Sequence, residues 1–351
     1  MSDLLELLSR PCGWLSGSAP QGDLVLSSRI RMARNLSGRT FPQHSSRAVR
    51  AELVHEILDK TQSIEALDGG LRLWLERLEP LERQFLGERQ LVSRDLVESP
   101  ENRAVVVAPD ESVSFMVNEE DHLRIQAIRS GLDLDSAYQA ADALESDLDG
   151  RLDFAYSERF GFLTACPTNT GTGMRASVLI HLPGVVLAKE SDKLLDSLRK
   201  QQLTIRGFYG EGSAAMGNFF QISNATTLGV REAAILQRLD QATRELVAWE
   251  ERARDGLLRR ARSLLEDKIW RSYGVLRHAR MLTSQEALSH TSLLRLGVGM
   301  EILDIPVQTL NEILIQSQPA HAQMLGRMET PAERDAWRAE MVRKKLRQGD
   351  R

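Results

Sequence analysis

The sequence predicts a mixed α and β region followed by an all-helical one, and two observations carry that expectation. Up to about residue 230, short β-like runs such as "RAVVVAP", "SVSFMV", "RASVLIHLP", "LTIRGFYG" and "NFFQIS" alternate with helical patterns and glycine-containing connections. After "NATTLGVRE" the texture changes: Leu, Ala, Arg and Glu recur at helical spacing from Arg231 to about Arg271, with neither Gly nor Pro before Gly256. The boundary is expected near residue 235, giving units 1–235 and 236–351.

Each element has a local reason. "SSRAVRAELVHEILDKTQSIEAL" and "SDKLLDSLRKQQL" read as helices between strands. In the second unit, "TSQEA" places Thr283 and Glu286 at capping-box spacing, and "DIPVQTLNEIL" starts a further helix. "TPAERDAWRAEMVRKKLR" starts another, with Thr330 as cap, Pro331 in the first turn and Glu333 completing the box.

Composition narrows the function. The chain has 351 residues, 42% of them hydrophobic, enough to bury a sizeable core, and its formal charge of −4 gives no global basic field for nucleic acid. Cys12 and Cys166 are too few for a disulfide framework, and Cys166 is expected to be a free thiol. "MSDLLELLSR" lacks the pattern of a secretory signal and no apolar stretch approaches a membrane span, so a cytoplasmic protein with no membrane or direct nucleic-acid partner is expected.

Arginines stand out in four polar or glycine-containing segments: "VLSSRIRMARN" (Arg29, Arg31, Arg34), "EEDHLR" (Arg124), "CPTNTGTGMRAS" (Arg175) and "TIRGFYGEGS" (Arg206). Arg29 and Arg31 are two apart, so a strand would point both to one face. Converging guanidinium forks would neutralise a triphosphate without a phosphate-binding loop, and no G-x-x-x-x-G-K-[ST] occurs. Each arginine taken singly reads as ordinary surface charge; only convergence in space makes a site of them.

"VNEEDHLRIQ", residues 117 to 126, leaves three readings open. It is a solvated turn, a metal site through Asp121 and His122, or a carboxylate cluster that holds a guanidinium. Against metal, no other histidine stands at ligand spacing. The third reading has a chemical reason: a guanidinium cannot attack phosphorus until a positioned base removes a proton. Glu119 and Glu120 are adjacent, so on a regular strand only one would address a given pocket. Cys166 is either a small buried apolar residue or a polarised thiolate beside a substrate.

These segments, taken in order, resemble the signature of the ATP:guanidino phosphotransferases, the creatine and arginine kinases and their bacterial relatives. The quoted motifs are "VLSSRIRMARN", "NEEDHLR", "CPTNTGTGMRAS" and "RGFYGEGS…GNFFQISN", spanning roughly residues 14 to 230. Within the family the pattern is most similar to the bacterial protein-arginine kinases of the McsB type, because only 26 residues precede "SSR" and a helical extension of more than 100 residues follows the motifs. The resemblance implies an antiparallel β-sheet flanked by helices, hence an α+β catalytic unit, with Mg·ATP across the sheet and the ion held mainly through the nucleotide phosphates.

By motif, the resemblance assigns Ser27, Ser28, Arg29, Ile30 and Arg31 to the first nucleotide segment. It assigns Arg124, Arg175 with Ala176 and Ser177, and Arg206 with Gly207 to the remaining nucleotide contacts. Glu120 matches the carboxylate that orients and deprotonates the guanidinium, with Glu119 beside it; Glu211 matches a second acid and Cys166 the motif cysteine. Gln90 stands where relatives usually have a histidine near the nucleotide, and "GVREAA" stands where they often have Ser-Glu. "ERDAWRAE" resembles a phosphoarginine-recognition motif, which would place Arg334, Asp335 and Arg338 around a phosphorylated arginine in the helical unit.

The implied function is a protein-arginine kinase that marks proteins for Clp-type proteolysis. Implied partners are substrates with exposed arginines, an McsA-like zinc-bearing activator, a Clp protease complex and a second copy of the chain. A kinase of free arginine, and a non-catalytic phosphoarginine-binding adaptor, remain as alternatives at this point.

Overall fold

The computed structural model describes residues 2–17, 19–207, 216–326, 328 and 330–348. Ten strands are present: β1 (Val25–Arg34), β2 (Leu71–Trp74), β3 (Ala104–Val107), β4 (Val113–Val117), β5 (Leu123–Ser130), β6 (Tyr156–Ser157), β7 (Gly161–Phe162), β8 (Met174–His181), β9 (Leu203–Gly207) and β10 (Phe219–Asn224). Eight form one antiparallel sheet in the order β2-β3-β4-β5-β1-β8-β10-β9, and β6 and β7 form a separate hairpin.

The helices are α1 (Ser2–Ser9), α2 (Arg47–Lys60), α3 (Pro80–Glu88), α4 (Arg94–Glu98), α5 (Leu134–Asp149), α6 (Pro183–Leu187), α7 (Ser191–Lys200), α8 (Glu232–His278), α9 (Ser284–Gly299), α10 (Val307–Gln316), α11 (Pro319–Gly326) and α12 (Pro331–Gln348). The helix expected from Arg231 runs as α8 to His278, with a non-helical residue at Ala261. Thr283 and Glu286 form the capping box of α9, and Thr330 with Glu333 does the same at α12.

Period-two alternation gives the sheet two unlike faces. On one, Ile30, Met32, Ile125, Ala127, Ala176, Val178 and Ile222 join the main core with Leu144 and Leu148 of α5 and Leu239 and Leu246 of α8. The other face is covered only at its margins. Leu7, Phe85, Leu86 and Ala320 pack over Val105 and Met116 at one side. Trp14, Leu288, Leu314 and Ile315 pack over Ile128, Leu179 and Phe219 at another. A cleft is left between these margins. Beyond Ala261, α8 contributes Leu265, Ile269 and Leu276 to a second core with α9, α10 and α12.

Candidate active site

The pairing register decides where the arginines point. In β1, Arg29 and Arg31 lie on the partly covered face; Arg31 stands opposite Arg175 of β8, and Ala33 on the same face stands opposite Arg124 of β5. Ser27, Leu179, Gln221 and Arg206 are successive cross-strand partners over β1, β8, β10 and β9, which brings Arg206 to that same face. Five arginines far apart in sequence therefore share one side of five adjacent strands. Directly opposite residues of an antiparallel pair project together, so this follows from strand order and register.

The cluster is electrostatically strained without an anion. Burial first, then the charges of Arg124 and Arg175, push Arg29 down to about 10. Burial and the charges of Arg29, Arg124 and Arg175 push Arg31 well below the ordinary arginine range, with Glu119 opposing. Arg29 Nη1 donates to Gln90 Oε1 at 2.8 Å, while Arg31 Nε is buried without a hydrogen-bond partner. Mutually repelling guanidinium groups and an orphaned N–H are what an anion with several charges would satisfy, so the residues present fit a nucleotide polyphosphate. Beside Arg29 the cleft is lined by Trp14, Ser27, Gln90, Ile128, Ser177 and Gln221, an apolar wall with polar edges.

Next to the arginines lies the acidic loop that joins β4 to β5. Asn118 adopts a left-handed backbone at φ 56°, and this bend breaks the alternation expected of a strand. Glu119 and Glu120 consequently take different partners while staying on one loop. The Glu119 side chain is an ion-pair partner of Arg124 and accepts from the Glu120 backbone N–H at 3.0 Å. Burial alone would raise the Glu119 carboxyl, but Arg124, the Glu120 N–H, the Ser93 hydroxyl and Arg31 together hold it below the usual carboxylate range. Glu120 moves the other way. Burial, then the charges of Asp121 and Glu119, raise its carboxyl against smaller pulls from Arg124 and the Cys166 thiol. Glu120 thus faces Cys166, and Asn169 Nδ2 lies 3.4 Å from its Oε2. Cys166 Sγ is 3.0 Å from Thr168 Oγ1 and forms no disulfide.

His122 and Asp121 are structural in this arrangement. His122 Nε2 donates to Thr40 O and its Nδ1 accepts from Leu36 N, each at 3.0 Å, which fixes a neutral tautomer. Burial lowers its pKa. The loop is mostly buried rather than a solvated turn: Glu119, Asp121 and His122 are each under a tenth exposed. Among the described residues, no group of three His, Cys, Asp or Glu side chains is placed to hold a metal ion.

Some residues named from the sequence lie elsewhere. The side chains of Ile30 and Ala176 sit in the main core, and Ser28 Oγ donates to Gly131 O at 2.8 Å and accepts from Asp133 N at 3.0 Å. These three can address the cleft through backbone atoms only. Arg34 also turns away from the other arginines, pairing with Glu145 of α5 and stacking 3.5 Å over the Phe162 ring. Gly207 ends β9, and Glu211 lies outside the described residues. In α12, Arg338 is 2% exposed and donates to Ser317 O at 2.7 Å, Leu282 O at 2.6 Å and Asp335 Oδ1 at 2.6 Å. Arg334 Nη1 donates to Gln323 Oε1 at 3.0 Å. Trp14, Asn35 and Asn169 were not singled out from the sequence, although Asn35 closes "VLSSRIRMARN" and Asn169 lies in "CPTNTGTGMRAS", because the partners that tie them to the site are distant in sequence.

Comparison with known proteins agrees with this geometry. Residues 51–253 match the model of the ATP:guanido phosphotransferase C-terminal catalytic domain, and residues 262–351 match that of the protein-arginine kinase McsB C-terminal domain. Curated relatives named protein-arginine kinase include those of Pelotomaculum thermopropionicum and Moorella thermoacetica. The first is 45% identical over 95% of this chain and 95% of its own length, the second 45% identical over 97% and 98%. Among solved structures, a lombricine kinase superposes with TM-score 0.61 at 25% identity, over 69% of this chain and 70% of its own. The duplicated taurocyamine kinase of Schistosoma mansoni gives TM-score 0.62 at 27% identity; it covers 67% of this chain, which spans 34% of that longer one.

Proposed function

The chain belongs to the ATP:guanido phosphotransferase family, and from that premise we propose that it is a protein-arginine kinase: it transfers the γ-phosphoryl group of Mg·ATP to the guanidinium of arginine residues in proteins. The observation that carries this reading is the meeting of five arginines on one sheet face with two loops, one offering buried Glu119 and half-buried Glu120, the other the Cys166 thiol. Phosphoryl transfer asks a protein mainly for alignment and charge neutralisation. Arg29, Arg31, Arg124, Arg175 and Arg206 would hold the phosphates and the migrating group. Glu119, committed to Arg124, keeps that guanidinium aimed at the cleft. Glu120, with its raised pKa, accepts the proton from the attacking nitrogen, and Cys166 contacts the guanidinium beside it. Glu211 would supply a second acid. Mg²⁺, when bound, would supply positive charge that offsets the phosphates, and most of its ligands would come from the nucleotide and water.

The wider setting implied by the family belongs to the same proposal. Phosphorylated proteins would pass to a Clp-type protease complex, and an McsA-like activator would modulate the kinase. A second copy would pack on the helical unit, where Leu264 is 76%, Trp270 50% and Met281 57% exposed. For Arg334, Asp335 and Arg338 to bind phosphoarginine, Arg338 must exchange the carbonyls of Leu282 and Ser317 for phosphate oxygens. The test is incubation with Mg·ATP and either casein or free arginine, counting acid-labile phosphate. Label in casein that disappears in Glu120→Gln, with nucleotide binding retained, is the expected result. Label in free arginine alone would mean a small-guanidine kinase, and wild-type labelling by Glu120→Gln would remove the base assignment.

A further inference from the structure

We propose that Asn35 is a positioning residue for phosphoryl transfer: with Asp121 it cross-links the acidic loop to the loop that carries Cys166, and so sets the spacing of the two groups that address the guanidinium. The inference rests on the kinase reading above. Its basis is one side chain whose oxygen and amide nitrogen are both engaged between these loops. Asn35 Oδ1 accepts from His122 N at 2.9 Å, and its Nδ2 donates to Asp121 Oδ1 at 2.6 Å and to Leu163 O at 3.1 Å. Asp121 Oδ1 in turn accepts from the backbone N–H of Ala165 at 2.6 Å. The bonds thus grip the acidic loop on the residues that follow Glu120 and the other loop at Leu163 and at Ala165, the neighbour of Cys166.

Neither residue touches solvent enough for water to replace these bonds: Asn35 is 1% exposed and Asp121 2%. The backbone at this point is held as well, since Asn35 O accepts from Ala155 N at 2.8 Å and Leu36 N donates to His122 Nδ1 at 3.0 Å. Position 35 immediately follows β1, the strand bearing Arg29 and Arg31. The cross-link therefore fixes the acceptor loops to the nucleotide-holding strand, not only to each other. An amide is the one group that serves: it supplies two donors and an acceptor from one planar head, whereas a carboxylate of the same shape would set a second negative charge against Asp121 with no donor between them.

That chemistry gives a decisive pair of variants. Asn35→Asp loses both donors and creates a like-charge contact, whereas Asp121→Asn keeps an oxygen that can accept from both Asn35 Nδ2 and Ala165 N. A displacement of about 1 Å at the reacting atoms is enough to lower a rate by roughly 100-fold. We expect Asn35→Asp to lose kcat for casein phosphorylation on that scale, with KM for ATP within about twofold of wild type, and Asp121→Asn, which preserves the bonds, to keep at least about tenfold more kcat than Asn35→Asp. A second readout does not depend on turnover. The alkylation rate of Cys166 by a neutral haloacetamide should change in Asn35→Asp and stay near wild type in Asp121→Asn, with Cys12 silent because burial raises its thiol to about 12.

Wild-type kcat in Asn35→Asp overturns the proposal, as does a defect confined to KM for ATP. So does an Asp121→Asn variant as impaired as Asn35→Asp in both readouts, since it keeps the acceptor for Asn35 and Ala165. Urea midpoints of all three proteins separate a loss of folding from a loss of positioning, because the assays are run where each is fully folded. If wild type labels no casein, the kinase reading fails, while the alkylation comparison still decides whether Asn35 and Asp121 hold the Cys166 loop.

Discussion

Arginines occupy contrasting settings in this molecule, and the contrast separates some that have a carboxylate of their own from those that the proposed function assigns to the nucleotide. Arg89 is 1% exposed and pairs with Glu111, its Nε reaching Oε2 at 2.9 Å, while both Nη groups donate toward Arg10 O. Arg254 pairs with Glu250, Arg34 with Glu145, and Arg338 with Asp335 and two carbonyls. Each such guanidinium has a carboxylate of its own. On the sheet face the balance differs, since Arg29 and Arg31 are pressed toward Arg124 and Arg175 and the nearby acid Glu119 is engaged with Arg124. A buried cation is stable when paired; cations packed together are stable only when an anion joins them. The first group stabilises the chain, and the second is the one that, in the proposed function, meets the nucleotide.

The sharpest way to break this contrast is at Arg31. Arg31→Met should cut phosphoryl transfer by on the order of a thousandfold or more. It should also raise the thermal midpoint of the nucleotide-free protein, because a repelling charge with an orphaned N–H is removed. The stabilisation that ADP gives wild type should vanish with it. A lowered midpoint in the absence of nucleotide would show that Arg31 belongs with the structural arginines.

Arg89→Ala should do the reverse. It leaves Glu111 buried without its partner, and the expected cost is about 3–5 kcal/mol in urea unfolding, with turnover per folded molecule nearly intact. A near-neutral result would mean that water reaches Glu111.

The smallest effect concerns Glu120. Its raised pKa places the acid limb of the kcat profile above the ordinary carboxylate range, since only the deprotonated form accepts a proton. The stability consequence has a definite sign. A carboxyl whose folded pKa is raised holds its proton more tightly in the native state, so native stability declines as pH rises from the unfolded to the folded value. Glu120→Gln should remove that decline and melt slightly higher at neutral pH. Parallel melting curves for the two proteins across this range would contradict the assignment of the shift.

Much of the fold was legible because its signals are local. Short β-like runs mark β3, β4, β8 and β10; capping boxes mark the starts of α9 and α12; and the absence of glycine and proline before Gly256 marks the first part of α8. The site was legible in part, through motif resemblance. Residue spacing alone would have misplaced the acids, because the strand alternation assumed for Glu119 and Glu120 is interrupted at Asn118. Asn35 closes the quoted "VLSSRIRMARN", but its role could not be read there because Asp121 and Leu163, which it joins, lie 86 and 128 positions away.

By itself the sequence determined which residues form strands and helices, since backbone preference and hydrophobic period act over a few residues. It also determined which residue types were available for phosphate and guanidinium. Only the tertiary structure decided that Arg29, Arg31, Arg124, Arg175 and Arg206 share a face while Arg34 turns to the other, and that Arg338 is held by carbonyls. The reason is that convergence depends on strand order and pairing register, which are fixed by burying the opposite face of the sheet and not by the neighbours of any one arginine.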